Sequence, residues 1–139
     1  MTRRASPYRL VAPVVREHVL HKQIADVMRL EIAPAGRISR DGVVWFSIDM
    51  AAYSGVAPGL RTARGCIAGV PDMIVLYQAR AHWIELKSRD GMVSDPQRSM
   101  AATLLLSGCR IGVARDADEA LACLDTWQIP RAHRVQVAA

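Results

Sequence analysis

GVPDMIVLY at residues 69–77 and HWIELK at residues 82–87 decide the fold of this chain. The apolar runs Met73 to Tyr77 and Trp83 to Leu86 each have the length and composition of a short buried strand. The polar break Gln78 to Arg80 provides the reversal between them. The stretch therefore predicts a β-hairpin.

Two acids and a lysine are expected to share one side of this hairpin. Asp72 and Glu85 are equally far from a turn centred between Gln78 and Ala79, so they face each other in an antiparallel pair. Side chains alternate along a strand, which points Glu85 and Lys87 to the same side. A Glu-Lys pair is common on a solvated strand face. The apolar runs around it, however, indicate strands covered on both faces, where ionised groups are costly unless paired or metal-bound.

The predicted pair of facing carboxylates indicates a metal site. The two negative charges repel each other, and a divalent cation relieves that repulsion. Carboxylate oxygens suit Mg²⁺ or Mn²⁺, which bind one or two acids together with waters and substrate phosphates. Hydrolysis of a phosphodiester fits this arrangement, with the metal polarising the phosphoryl group and Lys87 orienting or deprotonating the attacking water.

The length and charge of the chain favour one domain with a polyanionic partner. Its 139 residues are sufficient for a single core. We expect a flexible basic arm at 1–13, a folded domain at 14–130 and a tail at 131–139. The net charge of +5 comes mostly from arginine, which favours nucleic acid, although a GC-rich genome would enrich arginine equally. Phosphate contacts are expected first from Arg61 and Arg64, and also from Arg89 and Arg98.

The cysteines and the hydropathy pattern favour a reducing cytoplasmic compartment. Cys66, Cys109 and Cys123 are odd in number and lack CxxC spacing, so neither a disulfide framework nor a zinc site is indicated. The basic N-terminus has no secretory pattern, and no apolar run approaches the length of a membrane span. We expect a soluble protein of a bacterial or phage-infected cell, without a membrane partner.

The residues before the hairpin predict a helix, a strand and a loop. From Val14 the apolar residues follow the helical period for about 17 residues, until Pro34-Ala-Gly36 interrupts them. Residues 43–48 have the composition of a strand. The stretch 49–69 is rich in Gly, Ala and Pro and predicts an active-site loop that contains a short helix.

The residues after the hairpin predict two helices separated by a strand. Ser94 and Gln97 fit a capping box for a helix that stops at Gly108. Residues 110–115 form a strand, and Asp116 caps a last helix that ends near residue 126 or 127. The expected class is α/β, in the order α, β, loop, β, β, α, β, α, with a central mixed sheet flanked by helices. The crossover through the capped helix should be parallel and right-handed.

The same residues carry a family resemblance. Pro71-Asp72, a gap of 12 residues and Glu85-Leu-Lys87 match the motif of the PD-(D/E)XK phosphodiesterase superfamily. The wider run, GVPD at 69–72, WIELKS at 83–88 and GMVSDPQ at 91–97, resembles the virus-type replication-repair nuclease (VRR-NUC) domain over roughly residues 15 to 130. The resemblance implies a restriction-endonuclease-like core.

The resemblance also implies roles for individual residues. Asp72 and Glu85 would hold the metal with the backbone carbonyl of Leu86, and Lys87 would be the catalytic lysine. Gln97 would belong to the site, although its spacing from Ser94 alone favours a simple helix cap. Glu17, in the first helix, would complete the catalytic set by binding a second metal or ordering its waters. Glu31 competes for that role, but it lies about 20 Å further along the same helix.

The implied activity is that of a Mg²⁺- or Mn²⁺-dependent DNA endonuclease. By resemblance the protein would be a homodimer that acts on branched or structured DNA in replication, repair or recombination. Two alternatives remain open: a sequence-specific restriction-type nuclease, and a nucleic-acid-binding module without turnover. The family's polar stretch after the first strand is replaced here by Ile48-Asp49-Met50, which leaves the role of Asp49 open.

Other polar and aromatic residues have simpler interpretations. His18 and His21 are spaced to share a metal, but two surface histidines are the commoner case. His82 precedes the predicted strand and is expected to be exposed. Trp45, Trp83 and Trp127 are expected in the core or at an interface rather than as platforms for bases.

Overall fold

A four-stranded mixed open sheet and four helices form the fold. The computed structural model describes residues 15–48, 55 and 57–133, so the predicted arm at 1–13 and Asp49 lie outside the described residues. The element order agrees with the predicted order, including a short helix within the 49–69 loop. The elements are α1 (Glu17–Glu31), β1 (Val44–Ser47), α2 (Pro58–Ala63), β2 (Met73–Tyr77), β3 (Arg80–Leu86), α3 (Asp95–Leu106), β4 (Arg110–Ala114) and α4 (Ala117–Thr126).

The hairpin has the predicted register. Met73 pairs with Ile84 and Tyr77 with Arg80, so the turn is centred between Gln78 and Ala79. Both turn residues have left-handed backbone, with φ of 49° and 61°, as a two-residue hairpin turn requires. Because the reversal needs only two residues, β3 begins at Arg80 rather than at Trp83, where the sequence predicted it.

The strand order in the sheet is β1-β2-β3-β4. The first three strands are antiparallel, and β4 pairs with β3 in parallel, as predicted for the crossover through α3. One face of the sheet packs against α1 and α4 to form the core. The core side chains include Leu20, Ile24 and Met28 of α1, Trp45 of β1, Met73, Val75, Ile84 and Leu86 of the hairpin, and Ala120 and Leu124 of α4.

The expectation that His82 is exposed is wrong. Its side chain lies on the core face opposite Val75 and is 3% exposed. Its Nδ1 is 3.2 Å from the Val75 carbonyl oxygen, and its ring lies 5.3 Å from the ring of Trp127. Burial lowers the pKa of His82 below its ordinary value, and the charges of Arg110 and Arg80 lower it further. The strand pattern missed this because the covering ring, Trp127 at the end of α4, is far from His82 in the sequence.

Arg131, the first residue of the predicted tail, is bound to the helices. Its guanidinium donates to Glu31 at 2.9 Å and to Asp125 at 2.9 and 3.0 Å. Glu31 also accepts from the backbone N–H of His133 at 3.0 Å. Burial alone would raise the pKa of Glu31, but these hydrogen bonds outweigh it and hold that pKa below its usual value. Glu31 thus joins the end of α1 to the C-terminal residues.

Among the described residues, no helix is long and apolar enough to cross a membrane.

Candidate active site

Four elements meet at one end of the sheet. The first turn of α1, the residue before β2, the last residues of β3 and the first turn of α3 contribute side chains there. The predicted site residues Glu17, Asp72, Glu85, Lys87 and Gln97 come from these four places and are joined by the contacts described below.

Asp72 is held at the junction of three strands. Its carboxylate Oδ2 accepts the backbone N–H of Leu86 at 2.8 Å, and its backbone carbonyl accepts the N–H of Ile48 at 2.7 Å. The first contact joins the start of β2 to the end of β3, and the second joins it to the end of β1. The carboxylate is therefore fixed beside Glu85, the next residue back along β3.

Glu85 is a buried acid with one negative and one positive neighbour, Asp72 and Lys87. It is 5% exposed. Its Oε1 accepts a short hydrogen bond from Nε2 of Gln97 and lies 3.5 Å from Nζ of Lys87. Burial first, and the negative charge of Asp72 second, raise the pKa of Glu85 to about 7, although Lys87 opposes the rise. A carboxylate in this position gains from any further positive charge.

Lys87 lies between two acids. Its Nζ is 3.8 Å from Oε1 of Glu17 as well as 3.5 Å from Glu85. Lys87 is 9% exposed, whereas the Glu17 side chain is 56% exposed. The backbone N–H of Lys87 donates to Ala114 of β4 at 3.1 Å, which extends the parallel pairing to this residue. The ammonium group is thus held on rigid backbone with its charge directed at the carboxylates.

The first turn of α3 has the predicted capping box. The backbone N–H of Gln97 donates to Oγ of Ser94 at 3.3 Å, and the N–H of Ser94 donates to Oε1 of Gln97 at 2.9 Å. Gly69, with φ of +89°, passes directly against this turn, since a Cβ there would lie 2.2 Å from the carbonyl oxygen of Pro96. A glycine at 69 therefore lets the loop before β2 touch the helix that carries Gln97.

A cleft of about 570 Å³ opens beside Asp72 and Gln97. His21 and Arg61 also line it. His21 Nε2 is 2.8 Å from Oγ of Ser47, which orients the ring at the end of β1. His18, the other member of the spaced pair, is exposed. Among the site acids Asp72 lines the cleft, and Arg61 lies on its wall.

The other arginines predicted to contact phosphate lie on the surface. Arg64 and Arg89 are exposed, at the end of α2 and in the loop after β3. Arg98 is exposed as well and pairs with Asp95 at 2.8 Å. Exposed pairs of this kind contribute little to stability, so Arg98 remains available to a stronger anion.

Arg115 is a positioning residue that the sequence analysis did not single out. Its Nη1 donates to the backbone carbonyls of Ser88 at 2.6 Å, Arg89 at 3.3 Å and Gly91 at 2.8 Å. One guanidinium nitrogen thus shapes the loop that follows Lys87. Arg115 lies just after β4, more than 20 residues beyond that loop, and no local pattern signals the contact.

The oxygen ligands at this site could hold a divalent cation such as Mg²⁺ only if water or substrate oxygens supplied the remaining ligands. Asp72 and Glu85 offer neighbouring carboxylates, and the Leu86 carbonyl lies between Glu85 and Lys87 in the chain. Within residues 15–48, 55 and 57–133, no three His, Cys, Asp or Glu side chains are grouped to hold a metal. Mg²⁺ commonly binds one or two carboxylates and completes its shell with waters and phosphate oxygens. Two acids are consistent with that habit.

Comparisons of the chain with protein-family models, with curated proteins and with solved structures give no match. The geometry and chemistry of the site are therefore the basis for a function.

Proposed function

We propose that the protein is a metal-dependent DNA endonuclease with a restriction-endonuclease-like core, of the VRR-NUC kind. The observation that carries the proposal is the state of Glu85. It is a buried carboxylate beside a second carboxylate, with a pKa raised to about 7. Perturbed acids in a cleft are typical of catalytic sites, and a divalent cation would relieve this one. Mg²⁺ or Mn²⁺ is the expected cofactor.

Each site residue has a different role in the proposed reaction. Asp72 and Glu85, with the Leu86 carbonyl, would hold the metal, which supplies a Lewis acid for the phosphoryl group. Lys87 is placed to orient the attacking water and to offset the charge that develops on the phosphate oxygens. Gln97 fixes the orientation of Glu85. Glu17, at the exposed mouth of the site, would order waters or bind a second metal.

Branched or structured DNA and a homodimer are the proposed substrate and assembly. The net charge of +5 and the arginine on the cleft wall support a polyanionic substrate. Apolar side chains left uncovered support a partner surface: Leu105 and Leu106 of α3 are 57% and 91% exposed, and Val113 of the edge strand β4 is 38% exposed. A two-fold pair of sites would suit a junction with two scissile strands.

Cleavage assays test the activity. Wild type, Asp72→Ala and Lys87→Ala are incubated with linear, flapped and four-way DNA, with and without Mn²⁺. Lys22→Ala is the matched control, since Lys22 is an exposed lysine that also pairs with an acid. We expect Mn²⁺-dependent cleavage of the structured substrates, a loss of about 10²- to 10³-fold in Asp72→Ala and Lys87→Ala, and no loss in Lys22→Ala.

The same assay separates the alternatives. Cleavage of linear duplex at one sequence, without preference for structure, would identify a restriction-type enzyme. DNA binding without cleavage, indifferent to Mn²⁺, would identify a non-catalytic module. Equal rates for Lys87→Ala and Lys22→Ala would refute the assigned site. Sedimentation of the same preparation measures the assembly, and a monomer at working concentration would contradict the dimer.

A further inference from the structure

A second cavity lies at the opposite end of the sheet. It has a volume of about 360 Å³ and is located where β2 ends and where β3 and β4 begin. The two β3 residues that line it, Arg80 and His82, lie five and three residues before Glu85, which corresponds to roughly 16 and 10 Å at about 3.3 Å per residue. It is therefore separate from the candidate active site.

The charge of this cavity is positive. Arg80 and Arg110 line it, and none of the described residues that line it is acidic. The two arginines are close in the sheet. Arg110 on β4 pairs with His82 on β3, and Arg80 lies two residues before His82 on the same strand. Among the described residues, neither guanidinium has a carboxylate within ion-pair distance. Two cations without a neutralising acid favour an anionic ligand.

Aromatic rings form part of the wall. Trp127 lines the cavity and is half-buried, with its ring tilted at 41° against that of His82. Tyr77 also lines it and is half-buried. The Tyr77 hydroxyl oxygen accepts from Nε2 of Gln78 at 3.2 Å, which leaves its proton available to a ligand. Aromatic rings beside guanidinium groups are the usual surroundings of a stacked nucleobase and its phosphate.

The rim of the cavity is held by unusual backbone. Gln78 and Gln128 both line it, and both have left-handed backbone, with φ of 49° and 57°. Residues other than glycine adopt this conformation at a cost of about 1 kcal/mol or more. Both glutamines thus border the cavity from turns, Gln78 from the hairpin and Gln128 from the turn after α4.

We propose that this cavity binds a nucleotide phosphate. Arg80 and Arg110 hold the phosphate oxygens, and Tyr77 and Trp127 contact the base. The ligand chemistry, a phosphate joined to a nucleobase, occurs both in a free nucleotide and at the end of a DNA strand. Binding here requires no metal and no cleavage, so it is independent of the function proposed for the acids.

NMR titration of the full chain without divalent metal tests the assignment. The probes are inorganic pyrophosphate, dAMP, deoxyadenosine and a 5′-phosphorylated tetranucleotide, and the signal is the indole N–H of Trp127. We expect saturable shifts with pyrophosphate and dAMP, at least tenfold weaker binding of deoxyadenosine, and at least tenfold weaker dAMP binding in Arg80→Gln and in Arg110→Gln.

Arg40→Gln is the matched control. Arg40 is an exposed arginine in the turn before β1, so the substitution removes the same charge without touching the cavity. Arg80 is exposed too, so Arg80→Gln is readable even if Arg110→Gln fails to fold. Binding of dAMP identifies a free nucleotide as ligand, and binding of the tetranucleotide alone identifies a DNA end. No saturable shift with any phosphate probe, equal affinity for deoxyadenosine and dAMP, or equal weakening by Arg40→Gln would overturn the proposal.

Discussion

Glu31 and Glu85 are two buried glutamates whose pKa values move in opposite directions. Glu31 is 7% exposed and Glu85 is 5% exposed, so the exposed fractions of the two side chains are similar. Glu31 accepts from Arg131 and from the backbone of His133, and its pKa is lowered. Glu85 lies beside Asp72, and its pKa is raised to about 7. Burial raises the pKa at both positions; the hydrogen bonds of Glu31 reverse that rise, whereas the charge of Asp72 adds to it at Glu85.

This difference separates a structural acid, Glu31, from Glu85, the acid that we propose to be functional. The negative charge of Glu31 is compensated within the chain, so Glu31 can join α1 to the C-terminal residues. Glu85 shares a single lysine with Glu17 and has Asp72 as a neighbour. Lys87 therefore offsets the charge of Glu85 only in part, and the pKa of Glu85 stays raised. Stability, pH and metal binding should each respond differently at the two sites.

The largest difference is expected in stability. Glu31→Ala leaves the buried guanidinium of Arg131 with one acid fewer, and breaking a buried pair in this way costs about 4 kcal/mol. Glu85→Gln removes a repelled charge and should leave the protein at least as stable as wild type at pH 8. Urea unfolding measures both free energies. Equal losses in the two variants would show that burial, not pairing, governs these acids.

The pH dependence of the free energy of unfolding should distinguish Glu85 from Glu31. Its pKa rises from an ordinary 4.5 to about 7 on folding, so between these values the folded protein keeps a proton that the unfolded chain has released. Glu85 therefore lowers stability as the pH rises through this window, by about 3 kcal/mol in total. The lowered pKa of Glu31 acts at more acidic pH, where its contribution to stability is lost as the pH falls.

His82 contributes with the opposite sign: its pKa is lowered on folding, so stability from this group rises as the pH rises toward the ordinary pKa of histidine. Subtracting the unfolding free energy of Glu85→Gln from that of wild type at each pH removes this contribution. The difference should become less favourable to wild type between pH 4.5 and 8. Parallel curves for the two proteins would contradict the assigned pKa of Glu85.

Metal binding should give the smallest effect. At a concentration ten times its dissociation constant, a cation that binds only the folded protein adds about 1.4 kcal/mol, or a few degrees in Tm. We expect Mn²⁺ to raise the Tm of wild type and of Glu31→Gln, and to leave Glu85→Gln unchanged. Differential scanning fluorimetry at pH 8 provides the measurement. A shift of equal size in Glu85→Gln would place the metal elsewhere.

Local patterns were sufficient to predict the hairpin and the capped helices. The predicted register of Asp72 and Glu85 follows from two apolar runs separated by a short polar break, and the structure has the same register with a two-residue turn. The start of α3 follows from Ser94 and Gln97, because a capping box involves residues only three apart. Both predictions were confirmed, since the interactions behind them join residues that are close in sequence. The right-handed crossover, the metal and the DNA substrate stay predictions.

Contacts between distant residues were not predictable in the same way. Glu31 and Arg131 are separated by 100 residues, and their pairing depends on how α1 packs beside the end of α4. Arg115 contacts the loop after Lys87 only because β4 lies next to β3. The burial of His82 depends likewise on the position of Trp127. No periodicity or capping signal carries information about these packings.

The capping box at α3 and the contact with Glu85 together favour glutamine at residue 97. A cap at this position accepts either glutamate or glutamine, because only its oxygen is needed by Ser94. The nitrogen at the other side of the same amide donates to Glu85. A glutamate there would begin the helix equally well but would present a third negative charge to a carboxylate that already repels Asp72. The oxygen of this one amide therefore completes the helix cap while its nitrogen holds Glu85, and of the two residues only glutamine can do both.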